Sequence, residues 1–429
     1  MLPPISTLLV FVALLAAPIG AAGQAPPVPL VPSQSIAPPQ AIAAPPAVGV
    51  LLPLSGRYRS FGESCLRGIR VALGALEDRV PLVRTVVLDT RGEPAEAAAG
   101  YQKLASDPGI LVVLGPMLTP EVEAVASPAL SYGLATFAFS QRPVRSGGPL
   151  FRFSLTKEDQ VHSLAQFAVQ ENGLRRWATF HPNDAYGREI AAQFRIAVEV
   201  HGGRVVAAVG YDPAKNDLQE EAKRLQSRIG VAENQPPPVD GVFLPDSADR
   251  LAMLVSYLTS IDLRGVQLLG ASGWDRPQEL LAAGPSVEGG VFVDGFFVYS
   301  FRPEVRAFVD AYRDAFHTNP GTLEAYGFDA AMLVREVLSR GARTRPEVLG
   351  ELHRPFSRRG ATGATVVTAD GRIEKGLFLL KVEEGTVREL DSDAAAAPIG
   401  NAPVVPVDPA DSLRPPQRDS RSMEDRVGH

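Results

Sequence analysis

A single cysteine, Cys65, stands in a chain of 429 residues, so no internal disulfide framework exists to staple a small fold. The six histidines show no ligand spacing, and no C-x-x-C is present, so no metal site is expected. Basic charge is also short: 42 Lys and Arg against 48 Asp and Glu leave a net charge of -6. No Lys/Arg run is interleaved with aromatics, which argues against nucleic acid as a partner. The apolar run of residues 5–19 is too short to span a bilayer comfortably and is followed by the small residues Gly20, Ala21, Ala22 and Gly23.

That N-terminal pattern reads as a secretory signal over residues 1–23, cleaved near Ala22. No Lys or Arg precedes the apolar run, so an uncleaved anchor or a misassigned start codon is the alternative, and membrane contact is expected only through such an anchor or through a partner. Cys65 falls in a helical pattern rather than at the end of the signal, which excludes it as the acylated residue of a lipoprotein and leaves it as a small packing residue.

Catalytic patterns are missing too. The chain has no G-x-S-x-G elbow, no P-loop, no G-x-G-x-x-G after a strand and no H-E-x-x-H. Ser154-Leu-Thr-Lys157 matches S-x-x-K, but neither S-D-N nor K-T-G accompanies it, so chance explains it better than acyl transfer. Neither an enzyme nor a cofactor is expected.

What is present is organised in three parts. Residues 24–46 are rich in proline and favour extended polyproline geometry, the behaviour of a spacer. Residues 391–429 are dominated by Ala, Pro, Asp and Arg and offer too little apolar surface to offset the entropy of ordering. Between them, over 47–390, short apolar runs alternate with helical spacing: Val48–Leu52, Thr85–Leu88, Ile110–Leu114, Ala135–Phe139, Ala178–Phe180, Val205–Val209, Gly241–Leu244, Val266–Leu269 and Val291–Val293. This alternation predicts an α/β fold with parallel sheets and helices on both faces.

Breaks in the rhythm suggest two lobes. Leu150–Leu155 is β-like with no helix before Lys157, and a fresh strand-loop-helix series starts at Arg176. Crossings are expected near residue 152, near Gly289–Gly295 and near Gly363–Thr368. They give a first lobe of 47–151 and 294–358 and a second of 152–293 and 359–390. A terminal hairpin is expected to pair Thr365–Thr368 with the run from Gly376 to Val382, across the turn Ala369-Asp370-Gly371-Arg372.

Ligands of open α/β sheets sit beyond the carboxyl ends of the strands. The loops there carry Ser55, Tyr58 and Phe61 after the first strand, Thr119 after the third, Ser140 and Gln141 after the fourth, and Tyr186 after the fifth. Asp246 and Trp274 stand in the later loops of the same kind. These groups can hold a carboxylate or amide; none forms a nucleophile with its base. Ser55, Thr119 and Ser140 are also of the type that caps helices, and both roles are compatible.

The opening Val48-Gly-Val-Leu-Leu-Pro-Leu-Ser-Gly56, with Gly62 and Gly68, Gly115–Thr119, Phe151-Arg152 with Asp159-Gln160, Tyr186-Gly187, Gly202-Gly203, Tyr211 with Asp217, and Ala325–Ala330 resemble, in order, the type I periplasmic-binding-protein family in its leucine/isoleucine/valine and amide-binding branch. The resemblance implies two Rossmann-like lobes joined by three hinge crossings, closing on a small polar, amino-acid or amide-like ligand for an ABC permease in the periplasm. By position, Thr119 and Ser140 match the hydroxyls that hold the ligand carboxylate, and Tyr186 the aromatic of the second lobe. Where such binders place an acidic residue for the α-ammonium, this chain has Gly270-Ala-Ser-Gly-Trp274, with Asp275 following. Val291–Phe297, Gly360–Thr365 and Phe378–Leu380 also resemble the penicillin-binding-protein activators, which implies a peptidoglycan synthase as the alternative partner.

Overall fold

The computed structural model describes residues 46–75, 83–141, 147–230 and 235–390. The expected signal, nearly all of the spacer and the C-terminal tail lie outside them.

Strands β1 (Ala47–Leu52), β2 (Arg84–Asp89), β3 (Ile110–Leu114), β4 (Ala135–Ala138) and β5 (Leu150–Arg152) form one parallel sheet in the order β2-β1-β3-β4-β5. β1, β3 and β4 are buried along their whole length, as strands covered on both faces must be. β5 is shorter than the β-like run in the sequence because Ser154–Thr156 turn into the next helix, Lys157–Ala165, with Thr156 accepting the Asp159 N–H at 3.0 Å.

The second sheet begins with β6 (Arg176–Pro182), β7 (Arg204–Tyr211), β8 (Gly241–Leu244), β9 (Gln267–Gly270) and β10 (Val291–Asp294), all parallel in the order β7-β6-β8-β9-β10. After β10 the chain returns to the first sheet. There the helices Thr322–Ser339 and Arg345–Leu352 bury Ala330, Leu333, Val334, Val337 and Val348 in one cluster with Val48, Val50 and Val112. Strands β11 (Phe356–Gly360), β12 (Gly363–Val367) and β13 (Ile373–Lys375) then make a separate antiparallel sheet. Finally β14 (Phe378–Glu383) and β15 (Thr386–Glu389) extend the second sheet as antiparallel strands beside β10.

The expected hairpin is thus re-partnered: β12 pairs with Ile373–Lys375, and the run after Gly376 goes to β10 instead. The reason lies in burial. Phe378, Leu379 and Leu380 are successive and all fully buried, so both faces of that strand need cover, which a two-stranded ribbon cannot give. The chain therefore passes between the two large sheets after Arg152, after Asp294 and before Phe378.

Two glycines set how closely the helix Arg59–Leu73 meets Thr322–Ser339. A Cβ on Gly68 would lie 1.8 Å from the Glu324 carbonyl oxygen, and one on Gly327 would lie 2.3 Å from that of Cys65. No larger residue fits without moving backbone, so the crossing is a fixed joint. Cys65 is buried at this joint, on the wall of a cavity between the sheets, and burial pushes its thiol well above the usual range, leaving it unreactive packing.

Candidate functional site

Both large sheets reverse their strand order, the first between β1 and β3, the second between β6 and β8. A crevice opens at such switch points beyond the carboxyl ends of the strands.

On the first rim, the Ser55 hydroxyl donates to Asp89 Oδ2 at 2.6 Å, while the Leu54 and Arg91 N–H groups donate to Oδ1 at 2.7 and 2.8 Å. Partial burial opposes ionisation of Asp89, but those donors outweigh it and hold the carboxyl below its ordinary range. Ser55 is thereby spent on anchoring its own loop. Tyr58 and Phe61 follow, with ring centroids 6.4 Å apart and Phe61 49 % exposed. Thr119 opens the helix after β3, and its Oγ1 lies 2.9 Å from Ser140 Oγ, tying the loops after β3 and β4 together.

On the second rim, Asp184 caps the helix Ala185–Val200 by accepting the Gly187 N–H at 2.7 Å. Tyr186, on its first turn, is 40 % exposed and has Lys157 Nζ 5.7 Å from its ring centre. Asp246 accepts from the Tyr211 hydroxyl at 2.7 Å, Arg250 Nε at 3.1 Å and the Ser247 N–H at 2.7 Å. Its charge is already matched by Arg250. Tyr186, Asp246, Ser272, Asp275 and Arg276 border an open recess of about 480 Å³.

Between the lobes, beside the crossings, lies a second cavity of about 200 Å³. Phe139, Phe153, Leu155 and Leu323 give it apolar walls, and Gln141, Ser154, Gln160, Ser272, Asp294 and Tyr326 supply polar atoms. Ser272 borders both spaces. Its N–H donates to Gln160 Oε1 at 2.9 Å, a bond joining the loop after β9 to the helix at the first crossing. Asp294, at the end of β10, is 5 % exposed. Burial first, then the adjoining Asp275 carboxyl, push it well above the usual carboxylate range.

The candidate residues separate accordingly. Gln141 lines the inter-lobe cavity, and Tyr186 and Asp246 line the recess. Ser55, Tyr58, Phe61, Thr119 and Ser140 border neither space. Trp274 is a correction: it is fully buried, its indole N–H donates to the Leu244 carbonyl at 3.0 Å, and its ring packs where a Cβ on Gly270 would have to sit. The turn Ser272–Trp274 rotates the aromatic into the core of the second lobe and leaves Ser272 facing the cleft. Ser154 and Lys157 are not paired with each other: the Ser154 hydroxyl donates to the Ser140 carbonyl at 3.0 Å, and Lys157 Nζ meets Glu189 at 2.7 Å.

Sequence reasoning missed Asp275, Asp294 and Tyr326 as site residues. Asp294 had a usable signal, a carboxylate directly ending an apolar strand at an expected crossing.

Comparison with known proteins agrees with this geometry. A family model described as periplasmic binding protein matches residues 45–386. Leu/Ile/Val-binding protein BraC3 of Rhizobium johnstonii is 22 % identical over 289 residues, covering 65 % of this chain and 74 % of that protein. Penicillin-binding protein activator LpoA of Glaesserella parasuis is 30 % identical over 149 residues, 34 % of this chain but only 24 % of that protein. The solved structure of an ABC transporter substrate-binding protein from Sphaerobacter thermophilus superposes with a TM-score of 0.66 at 22 % identity, covering 82 % of this chain and 97 % of the other. With a family match spanning nearly all of the described residues, and two mainly parallel sheets joined by three crossings, the chain belongs to the periplasmic binding protein family.

Proposed function

We propose that this protein is a periplasmic solute-binding protein that clasps a small polar ligand, amino-acid or amide-like, between a first lobe of 47–151 and 294–358 and a second of 152–293 and 359–390, and presents it to an ABC permease. The observation that carries this reading is the pair of adjoining spaces beyond the strand ends, bordered by both sheets' loops and sharing Ser272. On closure, Thr119 and Ser140 would reach the ligand from the first rim and Tyr186 from the second. The N-terminal apolar run supports export.

A thermal-shift titration of the purified protein against a metabolite panel tests it. A ligand at about 100 times its Kd stabilises the native state by about 2.7 kcal/mol, so a dose-dependent rise in melting temperature is expected. No shift with any compound at millimolar concentration would contradict it.

A second reading, contact regulation of a peptidoglycan synthase, is favoured by the stretch shared with the penicillin-binding protein activator. A pull-down from an envelope extract separates the two: a synthase recovered with ligand-free protein supports regulation, and its absence alongside ligand-induced stabilisation supports transport.

A further inference from the structure

The inter-lobe cavity has one ionisable carboxyl, Asp294, and no Lys, Arg or His in its lining. An anionic ligand would therefore enter without a counter-ion, whereas a cation would meet one. Tyr326, also on the wall, is 6 % exposed, yet its hydroxyl is buried without a hydrogen-bond partner. The backbone of Leu155 faces it but makes no bond of ordinary geometry. A buried hydroxyl left open beside a carboxyl pair is an acceptor waiting for a donor.

We propose that the Asp294–Asp275 carboxyl pair and the Tyr326 hydroxyl seat an ammonium group, so that the ligand is a small amine whose apolar body lies against Phe139, Phe153 and Leu323. This rests on the solute-binding reading and specifies its ligand. Seating R–NH3+ favours the ionised form of Asp294, whose proton leaves to bulk solvent, up to one per ligand bound. The other charged groups nearby are engaged. Asp159 accepts the Thr156 N–H at 2.8 Å, and Asp329 accepts the Ala361 and Thr362 N–H groups at 2.9 and 2.8 Å. Lys375 sits 4.6 and 5.7 Å from the ring centres of Phe153 and Tyr326 and pairs with Asp329 at 3.7 Å. Arg276 lies 3.9 Å from Glu279 at the edge of the recess.

Titration calorimetry of the full chain with phenethylamine, L-phenylalanine and benzoate, in buffers of different ionisation enthalpy, tests the proposal. One or both amines are expected to bind with a buffer-dependent heat that reports proton release, and benzoate is expected not to bind. Phenethylamine alone points to simple amines, and L-phenylalanine alone to amino acids. Asp294→Asn should weaken amine binding by more than about tenfold and abolish the buffer dependence. Asp275→Asn, at a half-buried position, is the check should Asp294→Asn not fold. Benzoate binding without amine binding would overturn the ammonium site while leaving solute binding intact. Amine binding that neither variant weakens would also overturn it, as would no binding by any probe, a result that leaves solute binding to the metabolite panel.

Discussion

Replacing Tyr326 with Phe removes one oxygen and leaves every ring contact in place. The ring meets Phe153 edge-on at 6.2 Å and carries Lys375 Nζ 5.7 Å from its centre. The hydroxyl has no hydrogen-bond partner of ordinary geometry, and a Cβ on Gly295 would come within 2.5 Å of it, so it is packed tightly against backbone. A buried unsatisfied polar group costs about 1–3 kcal/mol, so its deletion should leave the ligand-free protein as stable as before or more stable by about 1 kcal/mol. The same deletion removes a hydrogen bond to a charged ligand group, worth about 1.5–3 kcal/mol, or roughly 10- to 150-fold in affinity. Urea denaturation followed by the fluorescence of the buried Trp177 and Trp274 gives the first quantity, and calorimetry with the bound amine gives the second. The expected signature is opposite in sign, with stability kept or gained and affinity lost. A stability loss above about 1 kcal/mol would mean that the hydroxyl is already bonded in the free protein, and unchanged affinity would remove Tyr326 from the site.

Tyr186→Ala should weaken ligand binding without altering the urea midpoint, because the side chain is 40 % exposed on a capped helix; Ser140→Ala should weaken binding and also lower stability by about 1 kcal/mol through the loss of the Thr119 hydrogen bond, and unchanged affinity in both would misplace the cleft. Asp329→Asn should cost about 3–5 kcal/mol in urea denaturation, since the buried carboxylate accepts from the Ala361 N–H at 2.9 Å and from the Thr362 N–H at 2.8 Å and partners the buried Lys375. Burial pushes Lys375 down to about 8, so above that pH the native state sheds a proton that the unfolded chain keeps until about 10.4. Stability at this site should therefore rise between those values, and Lys375→Met should erase that rise when urea midpoints are compared at pH 7 and pH 10.

Much of the architecture was legible because a parallel strand buried on both faces is written as an unbroken apolar run, as in Ile110–Leu114 and Gly241–Leu244. The small sheet was harder to read. β11 carries Ser357, Arg358 and Arg359, whose polarity hides a strand paired only at its edge. Loop positions at the rims followed from strand ends, so Tyr186, Asp246 and Gln141 reached the crevices. The direction in which a loop turns its side chains did not follow. Trp274 and Ser272 exchange roles because of one tight turn. Asp275 and Asp294 stand on separate loops, so only the fold brings their carboxyls together.

Closure of the two lobes is the centre of the account. The direct measurement is the distance between spin labels at Ser60→Cys, on the helix after β1, and Ala192→Cys, on the helix after β6, both exposed, with the buried Cys65 left in place. It is taken with and without the compound that most raises the melting temperature. A shorter, narrower distance distribution on saturation is expected. An unchanged distribution with that compound bound would contradict a hinged receptor.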